Sequence, residues 1–199
     1  MLLPYYRQGA IEAGCDEAGR GCLAGPVFAA AVILPSDYRN ARLNDSKQLS
    51  ETQRYALREE IERDAVAWAV ASVDNVEIDR LNILHASTHA MCNAVKELKV
   101  QPDFLLIDGN RFYNETAIDY ACFVKGDGRF LSIAAASILA KTYRDDCMKQ
   151  LHAQYPHYGW DRNKGYPTPE HYDTIEKYGI CPLHRKSYKL NRQTELSFS

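Results

Sequence analysis

Four carboxylates sit where metal-ion chemistry could be done: the adjacent pair Asp16-Glu17, then Asp108 and Asp127. Each closes a mostly apolar run and is followed closely by glycine, in Asp16-Glu17-Ala18-Gly19-Arg20-Gly21, Asp108-Gly109-Asn110 and Asp127-Gly128. One such acid alone reads equally as a turn residue or a helix cap. Several at one rim would repel one another and demand a cation, and oxygen-only ligands suit the hard ions Mg²⁺ or Mn²⁺. The sequence has no His/Cys cluster at metal-ligand spacing, which points away from zinc. Two such ions about 3.5–4 Å apart would activate a water and stabilise the leaving oxygen of a phosphodiester. Gly19-Arg20-Gly21 would let backbone and one guanidinium approach an anionic ligand.

These acids need elements to hold them. Ile11 to Cys15 reads as a strand, which leaves Asp16 and Glu17 at its end, pointing to opposite sides. Val27 to Leu34 reads as a second strand. Ser50-Glu51-Thr52-Gln53 is a capping box opening a helix to about Asp64. The alternation of Val66, Trp68 and Val70 adds a third strand, completing an antiparallel meander. A helical stretch from Asp74 to Lys99, with a break near Asn82, leads to Phe104-Leu105-Leu106-Ile107. That run is continuous enough for a strand buried on both faces, reached by a crossover and so parallel to its neighbour. Ile118, Tyr120, Cys122 and Val124 alternate as a fifth strand. Leu131 to Gln154 is a long helix whose Ala134-Ala135-Ala136-Ser137 suits close approach to a sheet. After an aromatic, basic loop from Tyr158 to Pro167, Thr168-Pro169 opens a helix that Gly179 closes. Sites in open α/β sheets gather at the carboxyl ends of strands. The meeting of Asp108 and Asp127 with Asp16 is therefore an expectation drawn from fold.

Across these segments the sequence resembles the bacterial type 2 ribonucleases H, the ribonuclease HII family. The resemblance rests on Asp16 to Gly21, Asn44-Asp45-Ser46-Lys47, Leu81 to Ala86, Leu106 to Asn110, Val124 to Asp127, Ala134 to Lys141 and Lys164 to Thr168, in family order. It implies an α/β, ribonuclease H-like fold: a mixed five-stranded sheet, three strands antiparallel and the others parallel, flanked by helices. With no internal repeat or low-complexity linker in view, one domain over residues 1–199 is expected, with 156–199 as a C-terminal helical and tail region packed on it. The resemblance also implies metal-dependent endonucleolytic cleavage of RNA in RNA–DNA hybrids, and nicking of duplex DNA at embedded single ribonucleotides, leaving 3′-hydroxyl and 5′-phosphate ends. By resemblance, Asp16, Glu17, Asp108 and Asp127 are the metal-binding catalytic acids, served by Mg²⁺ or Mn²⁺, as two ions with substrate bound. Gly19, Arg20 and Gly21 correspond to the segment that reads the ribose 2′-hydroxyl and adjacent phosphate, and Tyr166 to the tyrosine that senses the ribonucleotide–DNA junction. The 2′-hydroxyl distinguishes RNA from DNA at a site, and a tyrosine ring can pack on a deoxyribose where that hydroxyl would crowd it.

Further substrate contacts are expected from Lys47 at a phosphate, from Ser137 (with Lys141 one turn on) on the long helix, and from Arg185 and Lys186, which with Lys189 and Arg192 would clamp the duplex backbone. Asp45 and Asp145 read as caps or salt-bridge partners. Gln193, Leu196 and Phe198 have the spacing of tail peptides that dock on a bacterial sliding clamp. Among competing readings, proofreading-type exonucleases share the acids but lack Gly-Arg-Gly and Lys-Gly-Tyr-Pro-Thr. Ribonuclease HIII usually carries an added N-terminal domain, and little chain precedes Ile11. A non-catalytic hybrid-binding module would not need all four acids. The balance of charges, net −2, does not by itself announce a nucleic-acid partner. No run approaches the ~20 apolar residues of a membrane span, and Met1 to Gln8 lacks a signal-peptide pattern. Six scattered cysteines read as free thiols in a reducing cytoplasm. A monomer is the expectation.

Overall fold

The computed structural model describes residues 2–43 and 49–191. β1 (Glu12–Ala18) is central in a five-stranded mixed sheet of order β3-β2-β1-β4-β5. β2 (Val27–Ile33) and β3 (Ala67–Val73) form the expected antiparallel meander, while β4 (Phe104–Asp108) and β5 (Asp119–Phe123) extend the other side in parallel. β4 lies between two parallel neighbours, β1 and β5.

β1 departs from the apolar run that announces it. Ile11 lies outside the strand, and the strand continues through both acids to Ala18. The cause is β2, whose Ala30 and Ala29 pair with Asp16 and Glu17, so the backbone ladder outlasts the apolar side chains. The acids are therefore strand residues, and they do not follow the strand as the sequence suggests.

Side-chain alternation along β1 divides the molecule. Ala13 and Cys15 face a core with β2, β3, α2 (Asn75–Leu81) and α3 (Ile83–Lys96). On the opposite face, Gly14 meets α4 (Leu131–Gln154): a methyl added there would stand 2.2 Å from the Ser132 carbonyl carbon. The alanine run works as expected, with Ala134, Ala135, Ala136 and Ser137 all buried. α1 (Glu51–Asp64) packs outside α4 through Leu57 and Ile61, and both halves of its capping box form, Ser50 with Gln53. Asn82 joins α2 to α3 at φ 68°, and its side chain accepts from Leu84 and His85 N–H.

The residues after α4 form their own apolar cluster, with Tyr158, Trp160 and Ile175 packed on Leu23, Ala24 and Met148. They include the short α5 (Trp160–Asn163) and α6 (Pro169–Tyr178), the latter capped by Thr168 as the sequence indicates. Backbone bonds sew this region to the turn after β1: Leu23 N–H to Gly165 O, Gly25 N–H to Leu183 O, and Arg185 N–H to Leu23 O. All six cysteines are free. Among the described residues, no helix is long and apolar enough to cross a membrane.

Candidate active site

Strand register puts the first acids together. The parallel β1–β4 ladder ends with Cys15 opposite Ile107, so the next step sets Asp16 beside Asp108. Asp16 is buried, and its Oδ1 accepts from Glu17 N–H at 2.6 Å. Ser137 reaches it from α4 by a side-chain hydrogen bond. Burial holds the Asp16 carboxyl well above its ordinary pKa, and the nearby charges of Glu17 and then Asp108 add to the shift; the hydrogen bonds oppose it. Burial also raises Glu17, countered chiefly by Arg20, whose Nη1 lies 3.1 Å from Glu17 Oε1. Asp108 Oδ1 accepts from Gly126 N–H at 2.7 Å.

Asp127 stands apart from the strand-end expectation. It is buried in a 3₁₀ turn, Gly126–Gly128, after Lys125 at φ 56°, and its Oδ1 accepts from Gly128 N–H at 3.0 Å. Its neighbour Gly126 touches Asp108, but Asp127 does not line the cleft that Asp16, Glu17 and Asp108 line. That cleft has a volume of about 250 Å³, and its other walls are Ala18, Gly19, Arg20, Gly21, Arg54, Ser137, Lys141 and Tyr166. Among the described residues no three or more His, Cys, Asp or Glu side chains already close into a metal cage. The donor set nevertheless fits a hard divalent cation, because the buried Asp16 and Glu17 carboxyls, both raised by burial and crowded by Asp108, gain from a positive partner.

Tyr166 is partly exposed on the cleft, with its hydroxyl against Cys22 and its ring 5.7 Å from Lys141 Nζ and 5.8 Å from Arg144 Cζ. Its backbone is fixed from below. His171 Nδ1 is 3.0 Å from Tyr166 O, while His171 Nε2 takes the Trp160 indole N–H and faces His184 Nε2 at 3.2 Å. Both histidines are fully buried; burial depresses both pKa values, that of His184 to about 4. Arg144, also buried, spans Ala24 O, Pro26 O and Lys164 O, so it locks the turn after β1 to the tyrosine loop. Lys141 pairs with buried Asp145 at 2.6 Å, the salt-bridge role expected of that acid.

The sequence matches the ribonuclease HII family over residues 13–191. The chain belongs to the ribonuclease HII family. A ribonuclease HII of Bacteroides thetaiotaomicron is 59% identical over the full length of both chains. Another, of Parabacteroides distasonis, is 63% identical over 96% of each. Among solved structures, the ribonuclease HII in the PCNA:RNase HII complex of Archaeoglobus fulgidus superposes with a TM-score of 0.76 at 25% identity, covering 93% of this chain and 98% of that one. The ribonuclease H-like fold expected from sequence is present, and the protein is a ribonuclease H, a nuclease of a divalent-metal-dependent family that acts on RNA–DNA hybrids.

One of the basic residues expected to clamp a duplex, Arg185, is placed otherwise. Arg185 is fully buried and donates inward, to Gly25 O at 3.0 Å and Arg20 O at 3.0 Å, so it braces the Gly-Arg-Gly turn and faces no duplex. Lys186 is exposed but lines a separate groove with Val76, Asp79 and Pro182. Ser137 and Tyr166 do reach the cleft. Lys47, Asp45 and the tail residues Gln193, Leu196 and Phe198 lie outside the described residues. Arg54, on the cleft wall, carries no motif; only its position on the helix that packs against α4 could have drawn notice.

Proposed function

We propose that this protein cleaves RNA within RNA–DNA hybrids and nicks duplex DNA on the 5′ side of embedded single ribonucleotides, leaving 3′-hydroxyl and 5′-phosphate ends. The observation that carries this is one small cleft lined jointly by Asp16, Glu17 and Asp108, by Gly19-Arg20-Gly21, and by Tyr166. Asp16, Glu17 and Asp108, joined by Asp127 from its neighbouring turn, hold Mg²⁺ or Mn²⁺, as two ions with substrate bound. When bound, the cations would neutralise the acids and supply Lewis-acid stabilisation of the charge that develops on the phosphodiester. Glu17 keeps Arg20 folded over the cleft in the free protein, and Ser137 orients Asp16. Gly19, Arg20 and Gly21 read the ribose hydroxyl and its phosphate. Tyr166 packs on the deoxyribose that follows. Lys47 and Lys141 meet phosphate charge. Such an activity serves removal of ribonucleotides from DNA and of replication primers, and six free thiols suit a cytoplasmic setting.

The test is a duplex DNA carrying one ribonucleotide, incubated with Mg²⁺ or Mn²⁺. A single nick 5′ to the ribonucleotide is expected, with the all-DNA duplex left intact; no nick, or cutting of all-DNA strands, overturns the reading.

The tail supports a second partner. Gln193, Leu196 and Phe198 would dock on a sliding clamp, and a solved structure of the same fold is a PCNA:RNase HII complex. Immobilised clamp should retain the full chain and release a chain ending at Arg192. Equal retention of the two counts against docking.

A further inference from the structure

We propose that Tyr188 is a positioning residue for substrate discrimination: its hydroxyl, with Arg185, grips the Arg20 carbonyl and thereby aims the Gly21 N–H into the cleft. This rests on the reading that Gly19-Arg20-Gly21 recognises the ribose. Tyr188 Oη donates to Arg20 O at 2.6 Å, and Arg185 Nη1 donates to the same oxygen at 3.0 Å and to Tyr188 Oη at 3.2 Å. The three groups form a closed triangle on one carbonyl. It is anchored twice more: Arg185 Nε holds Gly25 O, and the Tyr188 ring packs between the sheet core and the C-terminal cluster.

The grip has a geometric consequence. Arg20 C=O and Gly21 N–H belong to one planar trans peptide, so they point in opposite directions. With the carbonyl drawn inward onto Arg185 and Tyr188, the Gly21 N–H is turned outward, and Gly21 lines the cleft with open space around it. Two donors on one carbonyl also polarise the peptide and strengthen its N–H as a donor. What that donor suits is an acceptor oxygen, the 2′-hydroxyl or the phosphate beside it. The arrangement is costly for stability alone. The Arg185 side chain is fully buried, and its Nη2 has no hydrogen-bond partner among the described residues.

Tyr188→Phe removes the hydroxyl and keeps the ring. The measurement is binding of the full chain, without divalent metal, to an RNA–DNA hybrid and to an all-DNA duplex of the same sequence, with a melting curve alongside. The expected result is a fall of roughly fivefold in the hybrid-to-DNA affinity ratio, carried by the hybrid, with all-DNA binding and melting temperature held. A ratio unchanged from wild type overturns the clamp, as does a parallel loss on both duplexes, which is what mere loosening of the fold would give. If the wild-type chain itself shows no preference for the hybrid, the reading of the turn fails and the proposal falls with it.

Discussion

Asp16→Asn is expected to reduce ribonuclease turnover by about a thousandfold or more while leaving the fold at least as stable as before. Asp16 is the buried acid at the junction of β1 and β4, next to Asp108 and held by Ser137 and the Glu17 N–H. Asparagine keeps the shape and one accepting oxygen but loses the charge that a cation requires. Stability should move the other way. Burial and the charges of Glu17 and Asp108 raise the Asp16 pKa in the folded protein above its unfolded value. Between those two values the folded state binds more protons than the unfolded chain, so ionising Asp16 costs stability as pH rises through the window. The asparagine variant is relieved of that cost. In metal-free buffer at neutral pH it should melt at or above the wild-type temperature. Activity within about tenfold of wild type would remove Asp16 from the metal site, and a large drop in melting temperature would show that the residue serves the fold.

Gly14→Ala should destabilise the protein by about 3 kcal/mol or more. The added carbon would lie 2.2 Å from the Ser132 carbonyl carbon and 2.4 Å from Ile133 N, both backbone atoms of the first turn of α4. No rotamer change relieves such a clash, so the helix must lift from the sheet. Since α4 also delivers Ser137 to Asp16, activity should fall with stability. Gly21→Ala is the control: an added carbon there meets nothing within 4 Å, and its φ is not positive. At a site without strain, glycine to alanine is neutral or stabilising by about 0.4–1 kcal/mol through the unfolded chain. Urea unfolding of the two variants should therefore separate clearly, and coincident midpoints would mean that α4 yields where the geometry says it cannot.

Much of this arrangement is legible in the sequence because its signals are local. The capping box at Ser50, the cap at Thr168, the break at Asn82 and the full extent of α4 follow from residues a turn apart. What escapes is decided at long range. The continuation of β1 through Asp16 and Glu17 depends on alanines in β2. Asp127 reads as a strand end, yet the strand stops at Phe123 and a left-handed Lys125 turns the chain into the 3₁₀ turn. Arg185 looks like a surface cation among basic neighbours, because nothing in its surroundings discloses that carbonyls at Arg20 and Gly25 await it. The acids as a set and Gly-Arg-Gly stand out in the sequence as candidate chemistry, and Tyr166 through the family resemblance, and the cleft brings Asp16, Glu17, Asp108, the Gly-Arg-Gly turn and Tyr166 together. The buried supports beneath them leave no such mark in the sequence.

The bracing of the turn after β1 also dictates a timetable. Leu23, Ala24, Gly25 and Arg20 present carbonyls whose donors are Arg144, Arg185 and Tyr188, and Leu23 N–H is met by Gly165. Chains emerge from the ribosome with the N-terminal part first. The sheet and its acids can therefore assemble while the partners of the turn are still being made. A nascent or truncated chain would own the acids without a braced Gly-Arg-Gly turn. Closure of the turn thus waits on the segment from Arg144 to Tyr188, and a partly made chain would hold the acids before the groups that brace the turn beside them.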